Sequence, residues 1–125
     1  HGSIRNILIE DGKIRSISDR DAQADVIIEG KHLHVSIGWF DMRAFTGDPG
    51  FEHKEDLHSV SEAAAYGGYT GLAAGPQTKP VVQHKEIITY IRSKAAQQTT
   101  RIYPIAALTI DHKGEELTEI LDLHH

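Results

Sequence analysis

Cysteine is absent from the 125 residues, which excludes disulfides and thiolate metal sites and agrees with a cytoplasmic setting. A basic surplus is absent as well. Lys and Arg number 13 against 18 Asp and Glu, a formal net charge of −5, and no basic stripe runs along the chain. Electrostatics therefore favour neither nucleic acid nor an anionic membrane as a partner. No apolar run approaches the ~20 residues of a bilayer-crossing helix, and no signal peptide is legible. The Walker A loop, the dinucleotide-binding glycine fingerprint and the nucleophile elbow are all missing. What remains is an ordinary globular balance, 39% hydrophobic and 25% charged residues, of a length suited to one domain or part of one. The chain opens on His-Gly-Ser rather than Met and closes on His-His. These ends read as expression remnants or as cut points in a longer protein.

The first thirty residues carry a period of two. Residues 4–17, IRNILIEDGKIRSI, alternate apolar and polar about Asp11-Gly12, the dipeptide that favours a type I′ turn, so a β-hairpin is expected. Residues 24–30, ADVIIEG, read as a third strand of the same small sheet. With few large apolar residues, that sheet must pack against something else.

From Val35 the rhythm changes to strand–helix alternation. An apolar strand over 35–42 leads into a Gly/Pro/Asp loop, then a helix from about Lys54 to Tyr66 with Leu57, Val60 and Ala64 on one face. Gly67-Gly68 provides its C-terminal cap. The strand YTGLAA (69–74) is followed by the loop GPQTKP and a helix over 85–97, whose apolar stripe is Ile87, Ile88, Ile91 and Ala95. The strand RIYPIAAL (101–108) is followed by the loop TIDHKG and a helix beginning near Glu115. Strand starts recur roughly every 33 residues, the spacing of βαβ units about a parallel sheet. Three units leave open edges, and a closed (β/α)8 barrel takes about 250 residues. The expected fold class is therefore α/β: the first three βα units of a (β/α)8 TIM barrel (residues 35–125), preceded by a small antiparallel β-sandwich module (residues 1–34).

The arrangement also resembles a known family. The hairpin with IEDGKI, then Gly38-x-x-Asp41-Met42, then Asp48-Pro49-Gly50-Phe51-Glu52-His53-Lys54-Glu55-Asp56, is similar to the N-terminal third of a dihydroorotase of the amidohydrolase superfamily. Ala63-Ala64-Ala65-x-Gly67-Gly68-x-Thr70, Pro76-x-Thr78-x-Pro80, Lys85-Glu86 and Lys113-Gly114-Glu115-Glu116-Leu117 extend the likeness over nearly the whole chain. The resemblance implies a zinc-dependent cyclic amidohydrolase barrel, with a β-sandwich built from both chain ends. The implied reaction interconverts carbamoyl aspartate and dihydroorotate in pyrimidine biosynthesis.

The resemblance also implies a strand-1 motif Asp-x-His-x-His-x-Arg, whose two histidines share one side of the strand and bind zinc. Its arginine grips the substrate carboxylate, and an asparagine between Pro and Thr after strand 2 adds a further contact. In this chain Asp41 is retained. The two metal positions hold Arg43 and Phe45, the carboxylate position holds Gly47, and the loop position holds Gln77. Phe45 offers no lone pair, and Arg43 stays protonated and would set a cation where Zn²⁺ belongs. Gly47 has no side chain to bind with, and Gln77 keeps the amide one methylene further out.

Other candidates are weaker. His32-Leu33-His34 lies before Gly38, away from the carboxyl end of the strand where barrel chemistry occurs. His53 and Lys54 suit a structural place ahead of the first helix, and Asp111-His112-Lys113 reads as a solvated loop on the catalytic face. Arg43 is also placed to neutralise carboxylates from later barrel strands. The expectation is thus a non-catalytic dihydroorotase homologue, a pseudoenzyme without bound zinc. By the resemblance, its role is to hold aspartate carbamoyltransferase in an assembly, and it is expected to self-associate. The alternatives are an active zinc dihydroorotase with rebuilt ligands and a cyclic amidohydrolase shifted to another substrate.

Overall fold

The structure, a computed structural model, describes residues 4–30 and 32–123; the terminal His-Gly-Ser and His-His stretches lie outside them. The chain divides into two compact units, His1–Val35 and Ser36–His125.

In the first unit, strands β1 (Asn6–Glu10) and β2 (Lys13–Ser18) pair antiparallel. Asp11 and Gly12 join them with φ of 50° and 70°, the left-handed pair that a type I′ turn demands. Ile7 faces Ile17 and Ile9 faces Ile14, with a register slip between Leu8 and Ile9 that marks a β-bulge. At the open end of the hairpin, Arg5 pairs with Asp19, and the amide of Asn6, the first residue of β1, donates to Asp21 at 2.9 Å. The expected third strand over 24–30 does not form: this sheet has two strands, and Val26, Ile27 and Ile28 stay exposed. Ile9, Ile14 and Ile17 of the hairpin are exposed too. Among the described residues of this unit no side chain is fully buried, so no buried face fixes the register of a third strand.

The second unit is built on β3 (Trp39–Ala44), β4 (Tyr69–Ala74) and β5 (Arg101–Pro104), all parallel, in the order β3-β4-β5. Helix α1 (Leu57–Tyr66) connects the first pair and α2 (Lys85–Ala95) the second. Each presents one apolar stripe, and the two stripes meet the same sheet face. Leu57, Ile88 and Ile91 close over Leu72, Ala74, Ile102 and the loop residue Val82, with Val60, Ala64, Ile87 and Ala95 packed around them. On the other face the Phe40 and Tyr103 rings lie 5.7 Å apart between centroids. Gly71 sits between them, where a Cβ would come within 2.8 Å of the Phe40 ring. Both rings remain about half exposed.

Element boundaries differ from expectation where side chains intervene. α1 starts at Leu57 rather than Lys54 because Asp56 is its N-cap. The Asp56 carboxylate accepts the Ser59 N–H at 2.7 Å, and the Ser59 hydroxyl accepts the Asp56 N–H at 3.2 Å. The helix ends at the expected pair, with Gly67 as C-cap and Gly68 at φ 82°. α1 is tied to the start of β5 by fully buried Ser61, whose hydroxyl accepts the Thr100 N–H at 2.9 Å while the Thr100 hydroxyl donates to the Ser61 carbonyl at 3.0 Å. β5 stops at Pro104, four residues short of the expected end; beyond it the Ala107 N–H turns to the Val82 carbonyl at 2.7 Å. The helix expected near Glu115 begins only at Ile120, as the short α3 (Ile120–Leu123). Thr118 ties the preceding bends to the loop after β5. Its N–H donates to the Leu108 carbonyl and its hydroxyl to the Ala107 carbonyl, beside a bridge between Thr109 and Leu117.

Candidate functional site at the carboxyl ends of the strands

In parallel sheets the loops diverge beyond the carboxyl ends of the strands and leave room there for ligands. At that end of β3, Arg43, Ala44 and Phe45 join Gln77, from the loop after β4, around an open cavity of about 280 Å³. Three of the positions singled out in the sequence thus share one wall. Phe45 is half exposed, and Gln77 lays its amide oxygen over Gly75, where a Cβ would come within 2.4 Å of it. Asp41 and Gly47 do not line this cavity. The Asp41 carboxylate accepts the backbone N–H of Arg43 at 2.9 Å, so the two residues meet through the main chain rather than as an ion pair.

Gly47 is buried, with φ of 66°. A Cβ there would come within 2.3 Å of the Glu55 carbonyl oxygen and 2.9 Å of that of Phe51, while the Gly47 carbonyl itself accepts the Phe51 N–H at 2.6 Å. The 47–55 loop is wound tightly around a residue without a side chain. Flanking it, the Thr46 hydroxyl is buried without a hydrogen-bond partner. Asp48, 1% exposed, receives hydrogen bonds of 2.9 Å from the Tyr90 hydroxyl and from the Lys94 ammonium, both on α2. The contacts to Tyr90 and Asp48 hold the Lys94 ammonium well above the ordinary lysine value. This triad anchors the loop to α2 and went unrecognised in the sequence, where Asp48 stood out only as part of a motif.

The donor set at the expected metal positions does not fit zinc. A phenyl ring and a permanent guanidinium cation contribute no lone pair. Among the described residues, no three His, Asp or Glu side chains approach closely enough to hold a metal ion. His32 and His34 lie exposed in the first unit. His53 and Lys54 are engaged with Phe51: the rings of Phe51 and His53 lie 6.5 Å apart, and the Lys54 ammonium sits 5.2 Å above the phenyl ring. Asp111, His112 and Lys113 are exposed yet ordered. Gln83 donates to the Asp111 carboxylate at 3.2 Å and accepts the Asp111 N–H at 2.7 Å. Hydrogen bonds from Lys113 and Gln83 keep that carboxylate below the usual range. Nothing in the sequence distinguished Gln83, because its partner lies 28 residues on.

The second unit is therefore a parallel β/α sheet with an open cavity at its carboxyl end. Residues 33–125 match the family described as Dihydro-orotase-like, and the chain belongs to that family. It is 41% identical over 122 residues to a dihydroorotase of Acetivibrio thermocellus, covering 96% of this chain and 29% of that relative. Against the dihydroorotase of Syntrophotalea carbinolica it is 40% identical over 120 residues, or 94% of this chain and 28% of the relative. Against that of Geobacter metallireducens it is 36% identical over 123 residues, with 96% and 29% covered. The chain thus spans less than a third of the length of the curated relatives it matches. Among the described residues, no helix is long and apolar enough to cross a membrane.

Proposed function

We propose that the protein carrying this chain is a dihydroorotase-like barrel of pyrimidine biosynthesis that has lost the reaction. On this reading residues 35–125 are the first three βα units of a (β/α)8 barrel, and residues 1–34 are part of a composite β-sandwich. The observation that carries it is the cavity at the end of β3, walled by Arg43, Phe45 and Gln77, where the family resemblance calls for two zinc-binding histidines and an amide. In such hydrolases zinc generates the nucleophile by lowering the pKa of bound water; Arg43 and Phe45 supply neither ligand. The loop geometry at Gly47 supports the same reading, since the backbone closes over the place from which a substrate-gripping side chain would project.

The role that remains is architectural: a cytoplasmic, self-associating scaffold that holds aspartate carbamoyltransferase. Two measurements on the full-length protein test this. Sedimentation of the two proteins together should give a stable complex, and dihydroorotate should not turn over above the uncatalysed rate. Robust turnover would replace this reading with that of an active zinc enzyme with rebuilt ligands. Bound zinc with turnover of a different cyclic amide would point instead to a shifted specificity.

A further inference from the structure

The loop after β5 closes on itself. At its base the buried Thr118 donates its N–H to the Leu108 carbonyl at 3.0 Å and its hydroxyl to the Ala107 carbonyl at 2.7 Å. Within the loop the Ile110 N–H donates to the Glu116 carbonyl at 2.9 Å, and the Gly114 N–H to the Thr109 hydroxyl at 3.1 Å. Residues 109–117 are thus tied end to end by bonds of their own, the build of an Ω-loop. Their tip meets a different element. The Gln83 amide donates to the Asp111 carboxylate at 3.2 Å and accepts the Asp111 N–H at 2.7 Å. The His112 ring lies 3.4 Å from the carbonyl of Pro76, the residue before Gln77. That receiving loop is held independently of the tip. The Pro76 carbonyl accepts the Thr78 N–H at 2.8 Å and the Val82 N–H at 3.2 Å, and the Lys79 N–H donates to the Pro49 carbonyl at 2.9 Å.

The tip is also strained. Asp111 and His112 have φ of 50° and 61°, two successive side-chain-bearing residues in a left-handed region that such residues ordinarily visit singly. Strain of this kind persists where neighbouring contacts enforce it, and the contact here is the two-point grip of Gln83 on Asp111. We propose that residues 109–117 form a hinged strap, latched by Gln83 onto the loop after β4, which swings open about Thr118 as one unit while the sheet stays folded. Releasing the latch relieves the strained pair, and the self-closed base lets the loop leave its dock without unravelling. Because the dock includes the residue before cavity-lining Gln77, the strap is a movable wall beside the cavity at the end of β3. The proposal concerns motion and does not depend on whether the protein binds zinc or turns over dihydroorotate.

Hydrogen–deuterium exchange of the full-length protein, read by mass spectrometry, tests it. In Gln83→Ala the amides of 110–116 should exchange at least about tenfold faster than in the wild type, while those of 69–74, 76–82 and 85–95 keep their rates. Asp111→Asn retains both an oxygen and an N–H for Gln83, so its strap should stay closed. Asp111→Ala removes the carboxylate and tolerates the left-handed backbone poorly, so it should open the strap; should Gln83→Ala fail to fold, this variant carries the comparison. Trypsin cleavage after Lys113, at the tip, should speed up in the two opened variants. Unchanged exchange in Gln83→Ala would overturn the latch. Acceleration spread equally over 69–74 and 85–95 would overturn the hinge, since Gln83 would then support the whole fold. Acceleration confined to the Asp111 amide would overturn the motion as a unit, leaving one lost hydrogen bond in a loop that stays shut.

Discussion

Replacing Gly47 by alanine asks how firmly the altered site is built into the backbone. Two costs add. The residue sits at φ 66°, a left-handed conformation that costs a side-chain-bearing residue about 1–2 kcal/mol. The new Cβ would also meet the Glu55 carbonyl oxygen at 2.3 Å and that of Phe51 at 2.9 Å. Both are main-chain atoms, with Phe51 held by the hydrogen bond to the Gly47 carbonyl and by the Lys54 N–H at 2.8 Å, so neither can swing away as a side-chain tip would. Overpacking of this kind costs about 1–3 kcal/mol. Gly114 provides the control. Its φ is 75°, yet a Cβ there meets nothing within 4 Å, so Gly114→Ala incurs the backbone cost alone. Urea unfolding of the full-length protein should place Gly47→Ala roughly 1–3 kcal/mol below Gly114→Ala with unchanged m. Two variants that agree within about 0.5 kcal/mol would show that the 47–55 loop accommodates a side chain, and the structural argument about Gly47 would fail.

Three further perturbations follow from the same geometry. Ser61→Ala strands the buried Thr100 N–H without its acceptor and should cost about 1–3 kcal/mol in the same unfolding experiment; a neutral result would mean that water or relaxation satisfies the group. Lys94 is raised above the ordinary lysine value in the folded state, so its contribution is fully present below the unfolded-state pKa of about 10.4 and is lost as pH rises through the raised value. The alkaline fall in wild-type stability over that window should therefore flatten in Lys94→Met, and identical pH profiles would contradict the Asp48–Lys94 anchor. Arg43→His with Phe45→His restores two ligand types at the cavity wall. It should raise zinc affinity without restoring turnover, because Gly47 still carries no group to hold a substrate; turnover in the double variant would show that Gly47 is dispensable.

Much of the fold was legible because it depends on short-range chemistry. Asp11-Gly12 sets the hairpin turn, the run 69–74 matches β4 at both ends, and the Ile87, Ile88, Ile91 and Ala95 stripe meets the core. The errors lie where a segment answers to distant atoms. Residues 24–30 have β-forming composition but pair with neither free edge of the two-stranded sheet, and residues 115–119 are tied by the hydrogen bonds of Thr118 to 107–108 instead of winding into a helix. At the site, the residue types at 43, 45, 47 and 77 could be read directly. What they do could not: the irregular register between Asp41 and Ala44, the left-handed turn at Gly47, and the anchoring of Asp48 by residues 42 and 46 positions later are products of packing.

The central claim is that the exchange at Arg43 and Phe45 leaves no metal centre at the mouth of this sheet. Elemental analysis of the full-length, untagged protein, purified in zinc-supplemented medium and dialysed against metal-free buffer, tests it most directly. The account predicts zinc far below about one ion per chain, rising only when both positions are returned to histidine. About one or more zinc ions per wild-type chain, retained through dialysis, would contradict it.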